Sequence, residues 1–144
     1  MYRSQCGASH GPDIRTTQVS HHSFSLRARL RSFFYACAGL RLLLRTQHNA
    51  RIHAAASIAV VALAGWLRVP VSDWLWLALA ITLVWAAEAF NTAIELLADA
   101  VTREQQPLIG QAKDVAAAAV LITAIGAAVI GMLVLGPHLL RLLN

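Results

Sequence analysis

The stretch Trp85–Asp114, WAAEAFNTAIELLADAVTREQQPLIGQAKD, decides how the rest of the chain is read. The chain has seven acidic residues, and five of them fall here: Glu88, Glu95, Asp99, Glu104 and Asp114. The chain's single lysine, Lys113, falls here too. Wound as a helix at about 100° per residue, Glu88, Asn91, Glu95 and Asp99 share an arc of roughly 80°, with Thr92 at its edge. Phe90, Ala93, Leu97 and Val101 take the opposite side. This polar stripe directly continues the apolar run Trp74 to Ala87. Carboxylates entering a membrane span are costly unless they line a working site.

Composition places the whole chain in the same setting. Of its 144 residues, 58% are hydrophobic and only 13% charged, against about 25% charged in ordinary soluble domains. The mean hydropathy is +0.58. The net charge of +5 sets twelve basic residues against seven acids; eleven of the twelve are arginines, eight of them before residue 52. Basic charge gathered at one end suits an anionic membrane surface. A nucleic-acid binder would need a basic, polar domain with exposed aromatics, so no nucleic-acid partner is expected. Cys6 and Cys37 show no repeated spacing and suggest neither a disulfide nor a metal pair.

Outward from the stripe, the elements follow in order. Residues 1–23 lack periodicity and read as a disordered tail without the apolar core of a signal peptide. His10, His21 and His22 read as part of that solvated tail. Over 24–46, Leu26, Leu30, Phe33, Phe34, Cys37, Leu40 and Leu44 recur at spacings of three and four, with Arg27, Arg31, Arg41 and Arg45 largely off that face. Such a basic amphipathic helix lies in the membrane interface. A first span is expected over about 49–67, since Arg51 and His53 can reach the headgroups. Pro70 stops it, and Ser72 or Asp73 caps the next helix. The second span runs over 74–101, anchored by Trp74 and Trp76. A polar loop covers Thr102 to Gly110, and a third span over 115–136 is ended by Pro137.

The expected fold is therefore an all-α membrane protein: residues 24–144 as one domain with an N-terminal amphipathic surface helix and three transmembrane helices. The arginines place the N-terminus and the 88–114 segment on the cytoplasmic side, facing the compartment that holds ATP and Mg²⁺. Two carboxylates on one helix face, with Lys113 and Asp114 across a short loop, are parts suited to phosphoryl transfer. Mg²⁺ takes one or two carboxylates plus phosphate oxygens, and a separate carboxylate can take a proton from an attacking hydroxyl. No glycine-rich P-loop or kinase catalytic-loop signature is present. A cation or proton pathway, and a structural bundle glued by polar side chains, use the same residues.

Glu88-Ala-Phe-Asn91-Thr92-Ala93-Ile94-Glu95, then Asp99, then Gln111-Ala112-Lys113-Asp114 and Val115 to Leu121, resembles the small bacterial membrane diacylglycerol kinase and undecaprenol kinase family. The resemblance covers roughly residues 31–135, including Phe34 to Leu40 and Asn49 to His53. It implies an ATP- and Mg²⁺-dependent lipid kinase of the bacterial cytoplasmic (inner) membrane. It also implies a homotrimer, in which one subunit's stripe meets its neighbour's surface helix. By the same resemblance, Glu88 is the general base, and Glu95 is both metal-bridging and ATP-contacting. Asn91 and Asp99 support these two. Tyr35, Glu104, Lys113 and Asp114 contact ATP, while Arg51 and Glu88 meet the lipid alcohol.

One position departs from the family pattern. Where the family reads Thr-Glu-Arg-Asn-Phe-Arg-Ile-His, this chain reads Thr46-Gln47-His48-Asn49-Ala50-Arg51-Ile52-His53. The second metal ligand is then Gln47, whose neutral amide can ligate Mg²⁺ but brings one charge fewer. The alternative expectation is a catalytically weakened member acting as a membrane binding or structural protein.

Overall fold

A computed structural model of the chain describes residues 25–143 apart from 103 and 105. The tail expected over residues 1–23 lies outside the described residues. Four helices follow one another: α1 (Leu26–Thr46), α2 (His48–Trp66), α3 (Val71–Val101) and α4 (Pro107–Leu143). Among the described residues there is no strand.

One residue separates α1 from α2. Gln47 is extended, at φ −97° and ψ 121°, and its N–H donates to the Leu43 carbonyl at 2.9 Å to close α1. The last carbonyls of a helix have no partner within it, and here the Arg51 guanidinium reaches back to the Arg45 carbonyl at 3.1 Å. The corner after α2 is tied differently. Arg68 takes a left-handed φ of 52°. Its N–H bonds to the Gly65 carbonyl, and the Val69 N–H bonds to the Ala64 carbonyl, both at 3.2 Å. This is a Schellman ending, with Val69 packed back on Ala64. A left-handed arginine costs about 1–2 kcal/mol; burial of Val69, 6% exposed, offsets it.

α3 and α4 form the closest pair. They run antiparallel, since Asp99 meets Lys113 at one end and Asp73 meets His138 at the other. At the second end Ala64, Val69, Leu77 and Leu135 join α2, α3 and α4 in one apolar cluster. Elsewhere the helices show large apolar side chains to their surroundings: Ile58, Leu121 and Leu133 are each more than 60% exposed. α3 and α4 are both long and apolar enough to cross a membrane. α3 has 31 residues, about 46 Å at 1.5 Å per residue, against a hydrocarbon core of about 30 Å. Its far end, with Glu95 and Asp99, therefore extends beyond the length needed to cross.

Three expected boundaries are corrected. α3 begins at Val71 with Pro70 as N-cap, and neither Ser72 nor Asp73 caps it. Pro70 enters the helix at φ −66° and ψ 158°, and its carbonyl accepts the Asp73 and Trp74 N–H groups at 3.0 and 3.3 Å. Residues 107–110 are not loop: Pro107 opens α4, where a missing N–H is no loss. Pro137 lies inside α4, which continues to Leu143. In hydrocarbon an open chain end would strand several backbone groups, whereas a proline within a helix strands one.

Candidate active site

α3 carries its polar stripe on the face that meets the start of α2. Glu88, Asn91 and Thr92 are buried there, Glu88 to 1% exposure. The Ala50 backbone N–H donates to the Glu88 carboxylate, and His53 and Glu95 are its charged or chargeable neighbours. Ala50 is the third residue of α2, so this N–H belongs to the first turn, where amides lack helical partners and the dipole favours an anion. Glu88 is therefore held by the end of a neighbouring helix. Its Oε2 has no hydrogen-bond partner, and neither do Asn91 Oδ1 and Thr92 Oγ1. An unpartnered buried polar atom costs about 1–3 kcal/mol. Three side by side mark a place arranged for something other than stability.

One turn further, Glu95 is gripped from both sides. Asn91 Nδ2 donates to its Oε1 at 2.9 Å, and Gln47 Nε2 to its Oε2 at 3.3 Å. Gln47 meets the Glu95 of its own chain, because the single extended residue at the α1–α2 break points straight at α3. The same break sets Arg51 on the exposed side of the corner.

At the α3–α4 turn a cleft of about 830 Å³ gathers Asp99, Glu104 and Lys113 with Thr102 and Gln106. Lys113 Nζ donates to Asp99 Oδ1 at 3.0 Å, with both side chains open to solvent. An exposed pair of this kind holds its partners loosely, so the ammonium is available to an anion entering the cleft. Asp114 is exposed next to Lys113, and Tyr35 is 70% exposed on α1, outside that cleft. The structure thus joins Gln47, Glu88, Asn91 and Glu95 at one centre and Asp99, Glu104 and Lys113 at a second. Tyr35 joins neither.

His53 and the Ala50 N–H are missed from sequence. The available signal is spacing: Ala50, His53 and Ser57 lie three and four residues apart, on one face of α2. That face is the one turned to α3, since Trp85 Nε1 donates to Ser57 Oγ at 3.2 Å.

Among the described residues, no three His, Cys, Asp or Glu side chains converge on one point. A hard cation that keeps phosphate and water ligands needs only one or two protein oxygens. Glu95 supplies a carboxylate, and Gln47 supplies an amide whose oxygen and nitrogen exchange places by a half-turn. The pair fits Mg²⁺.

Residues 34–135 match the prokaryotic diacylglycerol kinase family. The chain belongs to that family. An undecaprenol kinase of Bacillus subtilis is 35% identical over 118 residues, 82% of this chain and 96% of that protein. A diacylglycerol kinase of Synechocystis is 41% identical over 113 residues, 78% of this chain and 65% of that protein. A diacylglycerol kinase of Escherichia coli K12 is 34% identical over 104 residues, 72% of this chain and 85% of that protein. Both centres, and Tyr35, lie inside the segment matched to the diacylglycerol kinase family.

Proposed function

We propose that the chain is a lipid kinase that moves the terminal phosphoryl group of ATP onto the hydroxyl of a membrane lipid alcohol. It works from the cytoplasmic face of the bacterial inner membrane, as a homotrimer with three spans per subunit. The observation that carries this reading is Glu88: a buried carboxylate, anchored through Ala50, with one oxygen unpartnered beside the gripped carboxylate of Glu95. A free lone pair held out of water is what a general base needs.

In the reaction the lipid O–H bond breaks and its proton passes to Glu88. The lipid oxygen forms a bond to the terminal phosphorus, and the bond from that phosphorus to the ADP oxygen breaks. Asn91 fixes Glu95 in place. Lys113 leaves its loose pairing with Asp99 to neutralise the phosphates, with Glu104, Asp114 and Tyr35 on the rest of the nucleotide. Arg51 sits at the headgroup level for the lipid. Glu95 and Gln47 would hold Mg²⁺, which would neutralise charge on the transferring phosphates.

The relatives' names point to two substrates, undecaprenol and diacylglycerol. Purified protein given ATP, Mg²⁺ and either lipid should yield the corresponding lipid phosphate. No transfer to undecaprenol, diacylglycerol or ceramide, with ATP still bound, would favour the weakened reading. That reading draws on the Gln47–Glu95 contact, where an amide stands in place of the second acid.

A further inference from the structure

Thr92 has no part in the chemistry above, yet it is closed to solvent at 5% exposure. Of the three side chains with an unpartnered atom, Glu88 still accepts from Ala50 and Asn91 still donates to Glu95. The Thr92 hydroxyl bonds to nothing. A helical hydroxyl has an easy outlet in the carbonyl one turn back. Thr46, Ser57, Thr82 and Thr123 take it, at 2.9, 2.7, 2.8 and 3.0 Å. For Thr92 that carbonyl belongs to Glu88, and the bond is not made. Residues four apart on a helix are neighbours, with Cβ atoms about 5–6 Å apart, and their side chains lean toward the helix N-terminus. Thr92 therefore stands next to Glu88, whose Oε2 also lacks a partner, and the two atoms do not bond each other. Thr92 lies about 30 Å along α3 from Val71 at 1.5 Å per residue. That is the thickness of the hydrocarbon core, so Thr92 reaches the level at which a lipid alcohol carries its hydroxyl.

We propose that the Thr92 hydroxyl binds the hydroxyl of the lipid alcohol together with Glu88 and orients it for attack. This proposal rests on the kinase reading and deepens it. A hydroxyl oxygen carries one proton and two lone pairs. The lipid O–H donates to Glu88 Oε2, Thr92 Oγ1–H donates to one lone pair, and the second lone pair is left to attack the terminal phosphorus. As the lipid O–H bond breaks its proton passes to Glu88, while the Thr92 proton stays on Oγ1. The contact reads only the hydroxyl, so it serves undecaprenol and diacylglycerol alike.

The test uses the full chain in lipid nanodiscs with ATP, Mg²⁺ and undecaprenol or diacylglycerol. Thr92→Val keeps the shape of the side chain and removes the hydroxyl. It should lower kcat/KM for the lipid alcohol on the order of tenfold and leave the KM for ATP unchanged. Its Tm should stay level or rise, because a buried hydroxyl without a partner is removed and no cavity is opened. Thr92→Ser, which keeps the hydroxyl and loses a methyl group, should hold kcat/KM well above that of Thr92→Val. Wild-type kcat/KM in Thr92→Val would overturn the contact alone, as would a Thr92→Ser as slow as Thr92→Val. A Tm that falls in Thr92→Val would also overturn it, by making the hydroxyl a bond between helices or subunits. A wild-type chain that phosphorylates neither lipid would overturn the kinase reading and the contact together.

Discussion

Glu88, Asn91 and Thr92 are closed to solvent and leave three polar atoms without partners. Asp99, two turns beyond Thr92 on the same helix, is open and paired with Lys113. The contrast separates two jobs along one stripe. The inner centre holds groups dry and under-satisfied, which favours charge movement once a substrate arrives. The outer centre keeps its charges hydrated and loosely paired, which suits capture and release of a soluble anion. Inner substitutions should therefore act on the rate, and outer ones on nucleotide affinity.

The sharpest way to break this division is Glu95→Gln, which removes one of the two carboxylates of the inner centre. On the proposed role of Glu95 at Mg²⁺, loss of its charge is worth several kcal/mol, so kcat should fall on the order of a hundredfold or more. Assembly in mild detergent, followed by sizing, should be unaffected. Disassembly in place of rate loss would make the stripe structural glue.

A smaller effect is expected at Gln47. Gln47→Glu adds a charge opposite Glu95, and ligand charge tunes affinity for hard cations. The Mg²⁺ concentration giving half-maximal rate should fall about tenfold, corresponding to about 1.4 kcal/mol. An unchanged or higher value would remove Gln47 from the metal and leave its contact with Glu95 a simple strut.

Smallest is Lys113→Arg at the outer centre. A compact ammonium and a planar guanidinium meet phosphate differently, so the KM for ATP should rise several-fold with kcat held. A fall in kcat at constant KM would erase the distinction between the two centres.

The helices were legible from periodicity, because a chain with so few polar residues shows each interruption clearly. The stripe itself was legible for the same reason: Glu88, Asn91, Glu95 and Asp99 fall on one face by spacing alone. What lay beyond reach was long-range or depended on the surrounding medium. Nothing local marks Arg68 as left-handed, since packing of Val69 against Ala64 decides it. Pro137 and Pro107 read as breakers by propensity, yet one sits inside a helix and the other opens it. Gln47 meets Glu95 across 48 residues of sequence, through the single extended residue at the α1–α2 break, which no local pattern marks. The Ala50 amide carries no side-chain signal at all, so a carboxylate anchored by it is invisible until α2 and α3 are placed together.

The most direct test is Glu88→Gln, with phosphate transfer and thermal stability measured on the same preparation. The amide oxygen can keep the Ala50 hydrogen bond while the base is removed. If Glu88 is held for chemistry, transfer to the lipid alcohol falls by a factor on the order of a hundred or more, and the Tm stays level or rises. Transfer at the wild-type rate, or a Tm that drops while transfer survives, would contradict it.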